Sequence, residues 1–269
     1  MKLLNGRELA SYIKERQAKD IRRLASNAVV PKLAIIKTID NPVIDLYVRL
    51  KNQYALDIGA KVDTYRITQE AVPELLQKLN DDDTVHGIII QLPLSDPSKT
   101  DELVNLVSPS KDVDALGLQA QFDPATPMAI LWLLSGYNVE LSGKKVVLIG
   151  RGKLVGAPLE KILLASGVDV SVADRKTKDL NSLTLSADII ITATGRPAVL
   201  TSEMIKPGAV VVDAGVASED GQTVGDVDTQ VFEREDITIT PQKGGVGPLT
   251  ICALFENVLR AAANSRKVI

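Results

Sequence analysis

Tyr47 and Lys51 stand four residues apart in Tyr47-Val-Arg-Leu-Lys51, a spacing that puts both on one face of a helix, with Tyr54 and Ile58 continuing that face. An ammonium held beside aromatic and aliphatic neighbours loses hydration, so its pKa falls and it can carry a proton near neutral pH. The same residues also fit a surface lysine whose stem covers a core tyrosine. Gln91 directly follows the apolar run Ile88-Ile-Ile90 and precedes Leu92-Pro-Leu94, which places a polar amide at a strand's carboxyl end. Asp112 and Asp114 flank Val113. In an extended segment both carboxylates point the same way, although a solvated acidic loop has the same composition. Gly244-Gly-Val-Gly-Pro248-Leu-Thr250 offers either a backbone nest for a ligand or a simple tight turn.

A second group of residues sits on turns. Lys145-Val-Val-Leu-Ile149 reads as a buried strand that runs into Gly150-Arg-Gly152-Lys-Leu-Val-Gly156, and Pro158-Leu-Glu-Lys-Ile-Leu-Leu164 continues as a helix. Glycines at such a turn let the backbone approach a pyrophosphate, and the helix start presents free amides and its positive dipole end. The spacing is one residue longer than the usual dinucleotide fingerprint. Ile189-Ile-Ile-Thr-Ala-Thr-Gly195 and Val210-Val-Val-Asp213-Ala-Gly215 also place glycine where a buried strand ends, and ligands of open parallel sheets bind at those ends. Asp174 ends the strand after the glycine loop, suited to a ribose diol, while Arg175 and Arg151 suit a 2'-phosphate. These residues alone leave NAD and NADP both open.

The elements that must position these groups alternate. Helix is expected over Leu9–Leu24, strand over Lys32–Lys37, helix over Pro42–Ile58 stopped by Gly59, strand over Lys61–Ile67, helix over Val72–Leu79 and strand over His86–Gln91. After Asp123-Pro-Ala-Thr-Pro127 a helix closed by Gly136 is the best domain connection. A second series follows: strand Lys145–Ile149, helix Val155–Ala165, then strands Val168–Ala173, Asp188–Ala193, Ala209–Asp213 and Ile237–Thr240, and a last helix over Leu249–Ala263. This alternation implies an α/β chain of two domains, each a mostly parallel sheet flanked by helices, the second a doubly wound, Rossmann-type domain.

Composition removes several function classes. The chain has 269 residues, 45% hydrophobic, with a formal net charge of -3 and interleaved acidic and basic residues, so nothing recruits nucleic acid. One histidine, His86, and one cysteine, Cys252, cannot build a zinc site. A lone thiol in an apolar helical pattern is expected to be buried and suits a reducing compartment. No apolar run is expected to reach the roughly 18 residues of a membrane span, and charged Arg7 and Glu8 come too early for a signal peptide. A cytoplasmic protein without membrane attachment is the expectation.

Tyr47-Val-Arg-Leu-Lys51, Gln91-Leu-Pro-Leu94, Lys111-Asp-Val-Asp114, Thr126-Pro127, Ile149-Gly-Arg-Gly-Lys-Leu-Val-Gly-Ala-Pro158, Lys206-Pro-Gly, Gly225-Asp-Val and Gly244-Gly-Val-Gly-Pro-Leu-Thr250 occur in an order that resembles the bifunctional methylenetetrahydrofolate dehydrogenase/cyclohydrolase family. The resemblance implies a folate-binding catalytic domain from residues 1–122 completed by a terminal helix over 249–269, and a Rossmann domain over 123–248, with the active site in the cleft. It implies that Lys51 is the catalytic lysine, Tyr47 the ring stacked on the folate, Gln91 the amide working with the lysine, and Asp114 the carboxylate holding the pterin. Leu92, Gly245 and Pro248 would join Tyr47, Gln91 and Asp114 around the substrate. Gly150, Arg151, Gly152, Val155, Gly156, Asp174, Arg175, Thr194, Gly195, Gly215 and Val216 would line the dinucleotide, NADP with NAD as the alternative. The implied reactions are hydride transfer from 5,10-methylenetetrahydrofolate and hydrolysis of the methenyl product to 10-formyltetrahydrofolate, without a metal, in a symmetric homodimer. A dehydrogenase with weak or absent cyclohydrolase activity is the alternative. The chain departs from the family pattern with Asn41-Pro-Val-Ile44 in place of Asp-Pro-Ala-Ser, Ala115 in place of glycine, Asp174-Arg175 in place of His-Ser, Gly215-Val-Ala in place of Gly-Ile-Asn, and Gln242-Lys243 in place of Val-Pro.

Overall fold

The computed structural model describes residues 1–219 and 222–265. In chain order the elements are β1 (Lys2–Leu3), α1 (Gly6–Ala25), β2 (Lys32–Lys37), α2 (Pro42–Ile58), β3 (Lys61–Arg66), α3 (Val72–Asp81), β4 (Gly87–Ile90), α4 (Thr100–Val104) and α5 (Ala125–Gly136). They continue with β5 (Lys145–Ile149), α6 (Gly156–Ala165), β6 (Asp169–Ala173), α7 (Leu180–Ser186), β7 (Ile189–Thr192), β8 (Val210–Asp213), β9 (Ala217–Glu219), β10 (Gln222–Val224), β11 (Thr238–Ile239) and α8 (Val246–Asn264). The chain divides into two compact units, one of residues 11–125 and 251–269, the other of residues 1–10 and 126–250. Of the terminal helix expected over 249–269, residues 266–269 lie outside the described residues.

In the first of these units β2 is central in a parallel sheet of order β3-β2-β4. Leu33, Ala34, Ile35 and Ile36 are fully buried, as a central parallel strand requires, because helices cover both its faces. Ala34 and Ile36 share one core cluster with Leu76 and Leu79 of α3 and with Ile88 and Ile90 of β4. Truncating such a residue to alanine costs about 2–5 kcal/mol. The helix α2 is set at both ends. The Asn41 side chain accepts from the amides of Val43 and Ile44, and Gly59 closes the helix at φ 88°, donating its amide to Ala55. Asn41 thus supplies the cap that an aspartate would supply at that position.

In the other unit six parallel strands follow the order β1-β11-β8-β7-β5-β6. Its core joins Val147, Ile149, Ile190, Val211 and Ile239. The first ten residues, expected with the folate half, belong here. The cause is β1, whose Lys2 and Leu4 amides donate to the carbonyls of Ile237 and Ile239 and add an edge strand to this sheet.

Two helix boundaries also differ from expectation. Helix α5 begins at Ala125 and α8 at Val246, so Pro127 and Gly247-Pro248 lie in first turns, where a missing amide hydrogen costs nothing. Among the described residues one helix, α8, is long and apolar enough to cross a membrane by length and composition, at 19 residues and mean hydropathy 1.3. No such run was expected. Glu256 and Arg260 interrupt the apolar sequence without ending the helix, and 67% of its most apolar window is buried within the protein, the burial of a core helix.

Candidate active site

Parallel pairing of β2 with β4 carries Gln91 to the carboxyl end of its sheet, where its amide donates to the Ile36 carbonyl at 2.8 Å. Helix α2 brings Lys51 to the same end, and Lys51 Nζ donates to Gln91 Oε1 at 2.7 Å. Residues forty positions apart thus meet. Lys51, Gln91, Asp114 and Tyr47 are all half-buried. Burial draws the Lys51 ammonium below the ordinary lysine value, opposed by the nearby Asp114 carboxylate. Asp114 is itself raised by burial and held back by Lys51, so the two values move toward one another. Burial also raises the Tyr47 hydroxyl. Burial thus disfavours the charged form at both ends of the Lys51–Asp114 pair. Leu92 is half-buried beside Gln91, and the Leu92–Pro93 peptide is cis.

The neighbouring aspartate does a different job. Asp112 is buried, and its carboxylate accepts from the amides of Leu116 and Gly117 at 3.4 and 2.7 Å. It closes the loop behind Asp114. Tyr54 and Ile58, on the same helix as Lys51, belong to the core. Tyr54 donates to Gln17 Oε1 at 2.7 Å and lies 3.2 Å from the sulfur of Cys252. Cys252 is buried and its thiol is pushed up to about 11 by burial.

The glycine loop is built in the other unit. Gly150 takes φ 102° and its amide donates to the Ala173 carbonyl. A Cβ there would lie 2.6 Å from the Ala193 carbonyl oxygen, and one at Gly156 would lie 2.1 Å from that of Gly150. At Gly152 nothing comes within 4 Å. Val155 precedes α6 without any side-chain cap; in that first turn the Ala157 amide donates to the Gly152 carbonyl at 3.0 Å and Pro158 carries no amide hydrogen. A backbone cradle backed by glycines, with an uncapped helix start and open space at Gly152, fits the pyrophosphate of a dinucleotide.

Around this cradle, Arg151 donates to Glu160 Oε2 at 2.6 Å and is exposed, as is Arg175. Asp174 turns back on its own loop, accepting from the Lys176 amide at 2.8 Å while its own amide donates to Thr177 Oγ1. At the ends of β7 and β8, Gly195 takes φ 64° and a Cβ there would meet the Val216 carbonyl oxygen at 3.2 Å. Thr194, Gly195, Gly215 and Val216 therefore form one pair of apposed turns. Gly245 packs in this unit too, where a Cβ on Gly6 would lie 1.7 Å from its carbonyl oxygen. Pro248 sits in the first turn of α8. The expected substrate residues thus separate, with Tyr47, Lys51, Gln91, Leu92 and Asp114 in one unit and Gly245 and Pro248 in the other.

Two acids to which sequence reasoning gave no task, the half-buried Asp213 and the buried Asp226, stand behind the apposed turns. The motif Gly225-Asp-Val was the sequence signal for Asp226, and the strand end Val210-Val-Val-Asp213-Ala-Gly215 that for Asp213.

Comparison with known proteins agrees along the whole chain. The family model for the catalytic domain of tetrahydrofolate dehydrogenase/cyclohydrolase matches residues 4–114, and the model for its NAD(P)-binding domain matches residues 124–266. The bifunctional protein FolD of Campylobacter jejuni is 40% identical over 98% of this chain and 99% of its own length. That of Halothermothrix orenii is 36% identical over 97% of each. Among solved structures, the bifunctional methylenetetrahydrofolate dehydrogenase/cyclohydrolase of Campylobacter jejuni superposes with a TM-score of 0.92 at 40% identity, covering 98% of this chain and 99% of that one. The Trypanosoma brucei methylenetetrahydrofolate dehydrogenase-cyclohydrolase, solved with NADP and an inhibitor, gives a TM-score of 0.92 at 29% identity over 98% of each chain. With both domain models matched in order and relatives of this similarity spanning it end to end, the chain belongs to the tetrahydrofolate dehydrogenase/cyclohydrolase family.

Proposed function

We propose that this protein oxidises 5,10-methylenetetrahydrofolate with NADP and hydrolyses the resulting 5,10-methenyltetrahydrofolate to 10-formyltetrahydrofolate. The observation that carries the reading is the half-buried Lys51 amine, hydrogen-bonded to Gln91 and electrostatically coupled to Asp114. When bound at the glycine cradle, the dinucleotide supplies a hydride acceptor for the methylene carbon, which leaves the folate as a methenyl cation.

The hydrolytic step needs a base at neutral pH. A neutral Lys51 takes a proton from the water whose oxygen bonds to the methenyl carbon, while Gln91 Oε1 orients the amine. The carbon–N5 bond then breaks as the hydroxyl of the adduct loses its remaining proton to solvent, N5 takes up the proton held by Lys51, and the formyl group remains on N10, one proton being released overall. Asp114 accepts hydrogen bonds from the pterin, Tyr47 stacks on the folate, and Leu92, Gly245 and Pro248 complete the substrate contacts. Gly150, Arg151, Gly152, Val155 and Gly156 hold the pyrophosphate end of the dinucleotide; Asp174 and Arg175 lie toward its ribose, and Thr194, Gly195, Gly215 and Val216 toward its nicotinamide. A cytoplasmic homodimer is part of this reading, to be checked by sedimentation.

The test follows dinucleotide reduction and methenyl loss separately, on purified protein with 5,10-methylenetetrahydrofolate and either NADP or NAD. Reduction of NADP followed by accumulation of 10-formyltetrahydrofolate is expected. Tight dinucleotide binding without any reduction would contradict the reading.

A further inference from the structure

The Gly225-Asp-Val motif is explained by a pair of carboxylates, Asp226 buried and Asp213 half-buried. Asp226 is fully buried, and it accepts from the Thr194 amide at 2.6 Å through one oxygen and from the Arg196 amide at 2.9 Å through the other. Asp213 accepts from Thr192 Oγ1 at 3.1 Å and from the amides of Gly215, Asp226 and Val227 at 2.9, 3.1 and 3.1 Å. Asp226 thus holds the Thr194–Arg196 turn, and Asp213 holds the Gly225–Val227 turn beside its own. The two glycines admit this crossing. A Cβ on Gly215 would lie 2.0 Å from the Asp226 carboxylate, and one on Gly225 would lie 2.1 Å from that of Asp213.

Hydrogen bonds from amides to a carboxylate are short and about twice as strong as neutral ones. Burying the Asp226 carboxylate beside the half-buried one of Asp213 carries a desolvation cost that amide donors must offset, and an apolar pair of similar volume would fill this space without it. What carboxylates add is a fixed separation of three turns, those at Thr194–Arg196, Asp213–Gly215 and Gly225–Val227. Two of these are the apposed turns at the strand ends where a parallel sheet receives its ligand.

We infer that Asp226, with Asp213 behind it, is a positioning residue that sets the Thr194–Gly195 turn against the Gly215–Val216 turn and so selects the nicotinamide half of the dinucleotide. It touches no substrate. The inference rests on the proposed dinucleotide-dependent activity, because it needs those two turns to meet the nicotinamide.

Asp226→Asn keeps the shape and replaces one accepting oxygen with a donor, so one of the two amides loses its partner. By calorimetric titration of the full chain, the variant is expected to bind NADP about tenfold more weakly than the parent. Adenosine 2',5'-bisphosphate, which lacks the nicotinamide half, should bind within twofold of the parent. Equal loss for both ligands would show a general structural role and overturn the inference, as would unchanged NADP binding. If Asp226→Asn does not fold, Thr192→Val removes a single donor from Asp213 and should weaken NADP about threefold, again sparing the fragment. Failure of the parent protein to bind either dinucleotide would instead sink the functional reading, and the inference with it.

Discussion

Lys51 Nζ lies 2.7 Å from Gln91 Oε1, a bond between the middle of α2 and the residue that follows β4. It exists because Asn41 and Gly59 fix the ends of α2 and because β2 and β4 run parallel, delivering both groups to the same sheet end.

Asp114 opposes the loss of charge on Lys51. Asp114→Asn removes that support, so the lysine value drops further. The acid limb of the pH profile for methenyl hydrolysis should therefore move to lower pH than in the parent, while the KM for the folate rises about tenfold or more from the lost pterin contact. A profile that stays in place would show that Lys51 is not the group titrating in it.

Ala115 adopts φ 57°, the left-handed region that costs a residue with a Cβ about 1–2 kcal/mol. Glycine is usual here in the family. Part of the gain from Ala115→Gly is lost to the freer unfolded chain, so a net stabilisation of about 0.5–1 kcal/mol is expected, checked by urea unfolding. Destabilisation would mean that the Asp112-capped loop holds this conformation without strain.

His86 is the chain's single histidine, and its Nδ1 accepts from the Lys32 amide at 3.2 Å. Burial first, and the charge of Lys111 next, lower its pKa. A folded value below the unfolded one, about 6.5, means that stability is fully present above that pH and is lost as the pH falls toward the folded value. Asp112, Asp114 and Asp213, raised by burial, change stability in the opposite sense, so comparison with His86→Gln isolates the histidine. The parent should lose stability relative to the variant between about pH 7 and pH 5. Parallel stability curves would remove His86 from the account.

Much of this was legible in the sequence because local signals and global fold agree. The runs Leu33–Ile36, Ile88–Ile90 and Ile189–Ile191 are apolar enough to read as buried parallel strands, and the glycines at 150, 195 and 215 mark where those of the second unit end. The helical spacing of Tyr47 and Lys51 raised the lysine as a proton carrier, yet on spacing alone a surface lysine fitted better, and the structure brings Gln91 beside it. β1 was illegible because two residues carry no periodicity, and its partner β11 lies more than two hundred residues away. Ala217–Glu219 and Gln222–Val224, a short antiparallel pair, likewise lack an apolar run. Asp226 gave no sign of its role because its partners are backbone amides, which leave no trace in side-chain identity.

The central claim is that the Lys51 amine carries the proton of methenyl hydrolysis. Its most direct test is the hydrolysis rate of 5,10-methenyltetrahydrofolate by Lys51→Met, a change that keeps most of the length of the side chain and removes the amine. The account predicts a fall of about 100-fold or more, with NADP binding within twofold of the parent. Hydrolysis at the parental rate would contradict it.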